Sequence, residues 1–600
     1  MTKLALLSRL LPYTRKYKAR LIVGAICVTL SNLAATVSPL LLKHAIDSLG
    51  EFLSESRLLF LGAMILLFAV LEGIFLFLMR RIMIGVSRCM EYDLRNDLFA
   101  HLLGLSRRYY QNHKTGDIMS RATNDLSAVR MMLGPGIMYS VNTVIRMAIV
   151  LFLMLRISVG LTVFALVSVP LVSVAVKYFG GIIHQRFEKI QEAFSEISAR
   201  VQENLSGVRV IRAFTQEESE IEEFKRLNQE YIQKNLQLIR VWGLFYPVLG
   251  TLLGLGGVFV LWYGGREVIA GHMTLGDFVA FNAYLGMLTW PMIALGWVIN
   301  IVERGSASLG RLNQIFDTRP EILDDSVSIH PSERLSWEET SIASAGDSPP
   351  YAIRGEIQIR SLSFAYNGHP VLQNIDLHIP SGATYAIVGE TGSGKSTLVN
   401  LLARVYEVTE GEILIDGRPI QQYPLLSLRS SLGCVPQETF LFSDTIAENV
   451  AFGAAGASKE DVREAARLAH LLPDVEEFPK QFETLLGERG ITLSGGQQQR
   501  TSIARALIRN PKILILDDAL SSVDTDTEEK ILRELKVVMR GRTSILISHR
   551  VSTVKFADQI IVLKDGQIVE QGTHEELTQQ DGYYADLCEK QRLEEELTLS

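Results

Sequence analysis

The chain has 600 residues, of which 48% are hydrophobic and 21% charged, and its mean hydropathy is +0.19. This length exceeds what one compact domain usually needs, and the composition excludes a disordered, collagen-like or low-complexity chain. The net charge of −7, from 59 basic and 66 acidic side chains, is too balanced for a nucleic-acid-binding protein, so we expect no nucleic-acid partner.

Six apolar stretches before residue 305 are long enough to cross a membrane, because a hydrocarbon core of about 30 Å takes about 20 helical residues. They run approximately from Leu21 to Leu42, Leu58 to Met79, Leu133 to Leu155, Val159 to Phe179, Val241 to Tyr263 and Phe278 to Val302. Buried helices of a large soluble domain are the alternative. Lengths above about 18 residues with almost no charge favour membrane spans.

The basic residues between these stretches predict the orientation. Six precede the first stretch, nine lie between residues 80 and 130, and ten lie between residues 177 and 240. The opposite connections hold only Lys43, Arg57, Arg156 and Arg266. Because basic residues are retained on the cytoplasmic side during insertion, both termini are predicted to be cytoplasmic.

The two basic connections have the apolar periodicity of helices, so the membrane helices are predicted to extend beyond the bilayer. Polar turns interrupt them near Gln111 to Asp117 and near Leu205 to Arg209. Prolines and polar residues then predict a linker, and alternating strand-like and helical runs predict an α/β domain. The predicted divisions are a membrane domain at 1–310, a linker at 311–354, a soluble domain at 355–590 and a C-terminal tail at 591–600.

A glycine-rich segment of the soluble domain fits the phosphate-binding pattern G-x-x-x-x-G-K-[ST]. It reads Gly389-Glu390-Thr391-Gly392-Ser393-Gly394-Lys395-Ser396. The segment follows a strand-like run and begins a helical one, which is the context that the motif requires. Glycines let backbone N–H groups surround phosphates, Lys395 reaches the outer phosphates, and the Ser396 hydroxyl is suited to ligate magnesium. Thr397 completes this set of candidate nucleotide-binding residues.

A second element lies about 120 residues downstream, where an apolar run ends in two acids. It reads Ile513-Leu514-Ile515-Leu516-Asp517-Asp518. Asp517 is predicted to hold magnesium through water, as in other P-loop nucleotidases. A core strand ending in two solvated acids is the alternative.

A third motif, Leu493-Ser494-Gly495-Gly496-Gln497, lies between the other two. With it, the soluble domain resembles the nucleotide-binding domain of ATP-binding cassette (ABC) transporters, whose signature is LSGGQ. The resemblance implies that the nucleotide is ATP, and it assigns roles to further residues. Tyr366 would stack on adenine, Gln437 would touch magnesium, and His549 would be the switch histidine. Gly487-Glu488-Arg489 would meet the coupling helices, and Asp524 would belong to the aspartate loop.

The whole chain resembles a half-transporter of the exporter type, close to the multidrug-resistance-like group and its lipid-flippase relatives. The implied fold is an all-α six-helix transmembrane domain followed by an α/β P-loop nucleotide-binding domain, in the bacterial cytoplasmic membrane. Coupling helices are expected near Asn112 to Asp117 and Ser206 to Ala213. The resemblance also places Ser494, Gly495 and Gly496 against the γ-phosphate bound by a second half-transporter, so that two chains are needed.

The chain departs from the family pattern at Asp518, where a glutamate usually polarises the attacking water. Asp is shorter by one methylene, about 1.5 Å, and general-base catalysis depends on hydrogen-bond reach. We therefore hypothesise that this site binds ATP but hydrolyses it slowly, while the intact signature completes a site on a partner that retains Glu. A harmless substitution, accommodated by a small backbone shift, is the alternative. Asp518, His549 and Gln437 are the candidate catalytic residues.

The implied activity is ATP-driven export of amphipathic compounds, drugs or lipids, by alternating access within a heterodimer. A homodimeric flippase or multidrug exporter, and an ATP-gated regulator without stoichiometric transport, are the alternatives. Arg146, inside the third span, is a candidate for binding an anionic headgroup or for a structural ion pair. Aromatic and Met side chains of the last span suit amphipathic or cationic compounds, or helix packing. They are Phe281, Tyr284, Met287, Trp290, Met292 and Trp297.

Overall fold

The computed structural model describes residues 8–49, 55–322, 352–454, 456–487, 490–523 and 525–599. The chain divides into two compact units. The first comprises Met1–Leu103 with Thr115–Asp317, and the second comprises Gly104–Lys114 with Thr318–Ser600. A short segment from the helical half of the sequence therefore belongs to the same unit as the α/β domain.

Nine helices lie between Leu11 and Asp317 in the described residues. They are α1 (Leu11–Lys16), α2 (Lys18–Leu49), α3 (Glu55–Gly104), α4 (Arg107–Asn112), α5 (Thr115–Ile157), α6 (Val159–Ser206), α7 (Val208–Ala213), α8 (Glu217–Ile269) and α9 (Leu275–Asp317). Two π-helical turns interrupt α5, at Arg121–Asp125 and Met132–Gly136. The long helices thus extend beyond the apolar stretches, and the short helices α4 and α7 lie at the two polar connections between them.

Five of these helices, α2, α3, α5, α8 and α9, are long and apolar enough to cross a membrane. Each contains one of the predicted spans. The remaining predicted span, Val159 to Phe179, forms the first part of the 48-residue helix α6. Helices α6 and α8 pack along each other, with the Phe179 and Phe245 rings 5.5 Å apart and an Arg200–Glu220 ion pair of 2.7 Å.

Two predicted boundaries differ from the structure, and a third agrees with it within two residues. The predicted first coupling helix, Asn112 to Asp117, is displaced: the helix found there is α4, Arg107–Asn112. It begins after Ser106, whose backbone is extended, and it ends before His113, where the chain is extended again. The linker does not begin at residue 311, because α9 continues to Asp317 with Leu309, Leu312 and Ile315 buried along one side. The predicted second coupling helix, Ser206 to Ala213, coincides with α7 within two residues.

Residues 591–599 of the predicted tail at 591–600 belong to a longer helix. The final helix of the chain runs from Tyr583 to Leu599 without a break at residue 591. Tyr584 in its first turn is fully buried in the core of the second unit. The burial of this side chain anchors the helix, and the sequence after it contains good helix formers such as Glu, Lys, Gln, Arg and Leu.

The second unit contains two sheets. The strands are β1 (Ile357–Tyr366), β2 (His369–Ile379), β3 (Thr384–Val388), β4 (Glu410–Ile415), β5 (Arg418–Pro419), β6 (Leu432–Val435), β7 (Ile513–Asp517), β8 (Thr543–Ile547), β9 (Gln559–Lys564) and β10 (Gln567–Gly572). The four-stranded sheet has the order β2-β1-β4-β5 and is antiparallel. The six-stranded sheet has the order β10-β9-β3-β8-β7-β6 and is parallel except for β10.

Helices cover the six-stranded sheet. In chain order they are α10 (Lys395–Leu402), α11 (Leu425–Ser430), α12 (Ile446–Ala451), α13 (Lys459–Leu468), α14 (Leu472–Glu477), α15 (Gly495–Leu507), α16 (Thr525–Met539), α17 (Val551–Val554), α18 (His574–Thr578) and α19 (Tyr583–Leu599). All five residues of β7 and of β8 are buried, as expected of parallel strands covered on both faces. The carboxyl ends of the parallel strands β3 and β7 lie at the same edge of the sheet, which is where ligands usually bind in such folds.

Candidate nucleotide site and family

A cavity of about 290 Å³ lies at the carboxyl ends of β3, β7 and β8. Most of the predicted nucleotide-site residues line it. They are Tyr366, Thr391, Gly392, Gly394, Lys395, Ser396, Thr397, Gln437, Asp517, Asp518 and His549. Residues separated by up to 183 positions, from Tyr366 to His549, therefore meet at one place.

The glycine-rich loop has a backbone that only glycine adopts readily. Gly389, Gly392 and Gly394 have φ values of +152°, +87° and +103°. A Cβ on Gly389 would lie 2.1 Å from the Leu563 carbonyl oxygen, and one on Gly394 would lie 2.7 Å from Leu372 Cδ2. Side chains at these two positions would therefore push the loop away from β9 and β2, the strands that contain Leu563 and Leu372.

The loop and the start of α10 fit a phosphate chain. The Ser393 hydroxyl is buried and has no hydrogen-bond partner among the described residues. No side chain caps the N-terminus of α10, where Gly394 is the N-cap, so first-turn N–H groups are available to an anion. Lys395 Nζ donates to the carbonyl oxygens of Gly389 at 2.9 Å and Glu390 at 2.7 Å. Burial lowers the pKa of Lys395.

The acidic end of β7 faces the start of α10. Burial raises the pKa of Asp517, and a hydrogen bond from Ser396 acts against this shift. The set formed by the Ser396 hydroxyl, the Asp517 carboxylate and the Gln437 amide consists of oxygen donors, which Mg²⁺ prefers. These residues fit a magnesium-bound triphosphate.

Asp518 has a fixed backbone. Its φ is +49°, a left-handed conformation that Asp tolerates. Its N–H donates to the Ile547 carbonyl of β8 at 2.8 Å, and the preceding residue, Asp517, pairs with Ile547 in the sheet. The position of the Asp518 carboxylate is therefore set by the sheet and by the length of the side chain.

The signature residues lie at the start of α15, away from the cavity. Ser494 caps this helix in a reciprocal arrangement, in which Gln497 N–H donates to Ser494 Oγ at 3.3 Å and Ser494 N–H donates to Gln497 Oε1 at 3.0 Å. Ser494 and Gly495 are exposed. None of Ser494, Gly495, Gly496 and Gln497, all of which the structure describes, lines the cavity.

Three of the predicted positions lie outside the described residues: Glu488, Arg489 and Asp524. Gly389, Glu390 and Ser393 belong to the loop, although they do not line the cavity. The remaining predicted nucleotide-binding and catalytic residues occupy two places, the cavity and the start of α15.

The comparisons with known proteins match both halves of the chain. The family model of the ABC transporter transmembrane region matches residues 21–292, and that of the ABC transporter matches residues 372–521. The chain is 38% identical over 586 residues to the probable multidrug resistance ABC transporter ATP-binding/permease protein YheI of Bacillus subtilis, covering 97% of each chain. The chain belongs to the ABC transporter family.

Two further comparisons agree with this assignment. An ATP-dependent lipid A-core flippase of Syntrophus aciditrophicus is 33% identical, over 99% of this chain and 96% of its own. A bacterial Atm1-family ABC exporter with ATP bound has a TM-score of 0.76 at 29% identity, covering 96% of this chain and 98% of its own. The chain is therefore an ABC exporter half-transporter, an ATPase coupled to transport, and it binds ATP.

In this half-transporter, the loop that contains His549 is held by contacts that the sequence did not reveal. Gln591, on the final helix, accepts from Val551 N–H at 2.8 Å and donates to the His549 carbonyl oxygen. Arg550 donates to the buried carboxylate of Glu528 and, at 3.2 Å, to the Ser521 carbonyl oxygen. The two sides of this loop are thus fixed by α16 and α19.

Helix α4 is linked to the nucleotide cavity, within the second unit, through Tyr406. Gln111 Nε2 donates to the Tyr406 hydroxyl at 2.9 Å. The Tyr406 ring lies 5.2 Å from the Tyr366 ring in an edge-on arrangement, and Tyr366 donates to Thr397 Oγ1 at 3.3 Å. No motif contains Tyr406, so only the folded chain connects α4 with the cavity.

The structure gives Arg146 partners in the helical unit. Its Nε donates to Asn32 Oδ1 at 2.8 Å, and one terminal nitrogen lies 3.4 Å from Glu72 Oε1. Asn32 is buried and also donates to Asn142 Oδ1 at 2.9 Å. Of the two predicted alternatives, this geometry favours the structural ion pair. Phe281 and Tyr284 are fully buried, which assigns them to packing, whereas Trp290 and Trp297 are exposed.

Proposed function

We propose that this half-transporter exports amphipathic compounds, drugs or lipids, across the bacterial cytoplasmic membrane by alternating access. The observation that carries the proposal is the phosphate cradle with Asp517 and Asp518 in one cavity, in a chain whose described residues also include five candidate membrane helices. The relatives named for multidrug resistance and for lipid A-core transport support these substrate classes. The distribution of basic residues supports a cytoplasmic nucleotide-binding domain and cytoplasmic termini.

The cavity residues divide into three roles in this proposal. Lys395 and the N–H groups at the start of α10 bind the outer phosphates, and Tyr366 stacks on the adenine. Ser396, Gln437 and Asp517 hold Mg²⁺, which when bound neutralises charge on the phosphates. Asp518 and His549 orient the attacking water.

Two surfaces support the need for a second chain. The exposed Ser494 and Gly495 lie away from the cavity of their own chain, so another chain's signature is required to cover it. Helix α7 is a second such surface: it has no buried residue, and Leu205, Val210 and Phe214 around it are 70%, 60% and 70% exposed. Exposed apolar patches of this kind mark protein interaction sites, and α4 shows how a similar helix packs onto a nucleotide-binding unit.

We infer that the second chain is a different half-transporter, one that carries Glu after its magnesium-binding aspartate. The support is Asp518, whose backbone is bonded to β8 and so does not compensate for the shorter side chain. A site with a retracted carboxylate would bind ATP and hydrolyse it slowly. The signature of this chain would serve the faster site on its partner.

A transport assay in proteoliposomes tests the proposal. The purified chain, and the chain with its partner when identified, would be supplied with ATP and either a fluorescent cationic dye or a fluorescent phospholipid analogue. We expect ATP-dependent movement of at least one probe, and none for Lys395→Ala. ATP consumption with no movement of either probe would contradict export and support the ATP-gated regulator.

A further inference from the structure

A second cavity, of about 620 Å³, lies between α2 and α3 in the helical unit. Its walls are mainly apolar and include two arginines. The lining residues used in the argument below are Arg20, Val23, Leu78, Arg81, Ile82 and Val86.

The two helices touch beside this cavity and again beyond it. A Cβ on Gly24 would lie 2.5 Å from Met83 Sδ, so the helices touch at Met83, which lies between the lining residues Ile82 and Gly85 of α3. Further along α3, Lys16 Nζ lies 2.9 Å from Asp93 Oδ2, and Tyr17 donates to the same carboxylate oxygen at 2.9 Å. Between Met83 and Asp93, a Cβ on Gly85 would meet nothing within 4 Å, so the cavity is open there.

The two arginines are available to a ligand. Within the described residues, neither Arg20 nor Arg81 has a hydrogen bond or an ion pair, and no Asp or Glu lines the cavity. The nearby Lys16 is already neutralised by Asp93. The cavity therefore has an uncompensated charge of +2, which favours an anion.

The position of the arginines along the chain gives their depth. Arg20 directly precedes the apolar stretch that starts at Leu21, and Arg81 follows by two residues the stretch that ends at Met79. Both therefore lie within two residues of the end of a predicted span, and these two ends are on the same predicted side of the membrane. Arginines at this level place the charged group among the lipid headgroups and the side-chain stem along apolar surface.

We propose that this cavity binds an anionic phospholipid, with its phosphate at Arg20 and Arg81 and an acyl chain along Val23, Leu78 and Ile82. Basic pockets between membrane helices at the headgroup level are suited to such lipids. A free phosphate would satisfy the arginines and leave the apolar walls uncovered. A bound lipid would fill the gap between α2 and α3 near the point where α1 leads into α2.

Native mass spectrometry of the full chain tests the proposal, with phosphatidylglycerol and phosphatidylcholine titrated separately into the detergent-purified protein. We expect phosphatidylglycerol to bind at least about tenfold more tightly than phosphatidylcholine. Arg20→Gln/Arg81→Gln should weaken the binding of phosphatidylglycerol by about 30-fold, as expected from the loss of two cationic contacts. Arg20→Lys/Arg81→Lys should retain the preference.

The matched control is Arg15→Gln/Arg80→Gln, which removes the same charge from exposed residues at the same end of the domain that do not line the cavity. We expect it to change phosphatidylglycerol binding by less than about twofold. Equal loss in both double variants, unchanged binding in the Arg20 and Arg81 variant, or equal affinity for both lipids would overturn the proposal. Displacement of the lipid by millimolar inorganic phosphate would also overturn it, because the site would then recognise only the anion.

Discussion

Replacing Asp518 with Glu tests whether the length of one side chain limits ATP hydrolysis. The N–H of Asp518 is bonded to the Ile547 carbonyl oxygen at 2.8 Å, and its φ is fixed at +49°. Because β8 holds the backbone, the carboxylate comes closer to the attacking water only if the side chain is longer. Asp518→Glu adds one methylene, or about 1.5 Å of reach toward the water.

The expected gain follows from the sensitivity of general-base catalysis to distance. A misplacement of about 1 Å costs about 100-fold in rate, and a positioned base contributes about 10²- to 10⁴-fold. We therefore expect Asp518→Glu to raise kcat by about 10- to 100-fold. The apparent affinity for ATP should change by less than about twofold, because Lys395 and the loop N–H groups are untouched.

The assay is steady-state ATP hydrolysis by the purified chain in lipid nanodiscs at saturating ATP and Mg²⁺. Asp518→Asn, which keeps the size and removes the charge, should lower kcat by no more than a few-fold, because the wild-type carboxylate contributes little. Thermal unfolding is measured alongside, since Glu adopts a left-handed backbone less readily than Asp. An unchanged kcat in a well-folded Asp518→Glu variant, together with a loss of about 100-fold in Asp518→Asn, would refute the reasoning.

Three further predictions concern contacts that lie within one or the other of the two units. Gln591→Leu removes two hydrogen bonds to the backbone around His549 and should lower kcat by up to about 30-fold with ATP affinity unchanged, as about 1 kcal/mol for each of the two bonds implies; Lys590→Leu, next to it and exposed, should leave kcat as it is. Arg146→Ala breaks the pair with Glu72 and should lower the melting temperature, while the ratio of anionic to cationic amphiphile transport stays constant; a changed ratio would make Arg146 a substrate contact. Asp125 is buried, which raises its pKa, but hydrogen bonds from Arg311 and Ser308 and the charge of Arg121 outweigh burial and lower it. Its ion pair therefore stabilises the fold above the ordinary Asp pKa of about 4, and this stabilisation is lost as the pH falls through the lowered pKa of the folded state. Asp125→Asn should therefore reduce the melting temperature at pH 7, and the melting temperatures of the variant and the wild type should converge in acid. A difference in melting temperature that stays constant down to pH 3 would contradict this.

Residues that act through local sequence were predictable. The phosphate loop requires glycines at fixed spacing and a lysine before a helix, and Asp517 ends a strand that is buried on both faces, so each pattern carries its own structural context. The break at Gly207 followed by α7 was predictable for the same reason, since a polar turn interrupts an apolar period there.

Contacts between distant residues were not predictable from one sequence. The bonds from Gln591 to the backbone around His549 join residues about 40 positions apart, and no motif contains both. The position of α4 depends on Tyr109, which is buried, and on Tyr406, which lies nearly 300 residues further on. Helix α9 continues beyond its apolar span, because Leu309, Leu312 and Ile315 are still buried after that span ends.

The measurement that tests the central claim most directly is ATP retention by two mixed dimers made from differently tagged copies of this chain. In the first, one copy carries Lys395→Ala and the other Ser494→Arg; in the second, one copy carries both substitutions and the other neither. If the signature of one chain completes the phosphate loop of the other, the first dimer has one intact site and retains one ATP through gel filtration, and the second retains none. Retention by the second dimer and not by the first would show that each chain closes its own site and would contradict the account.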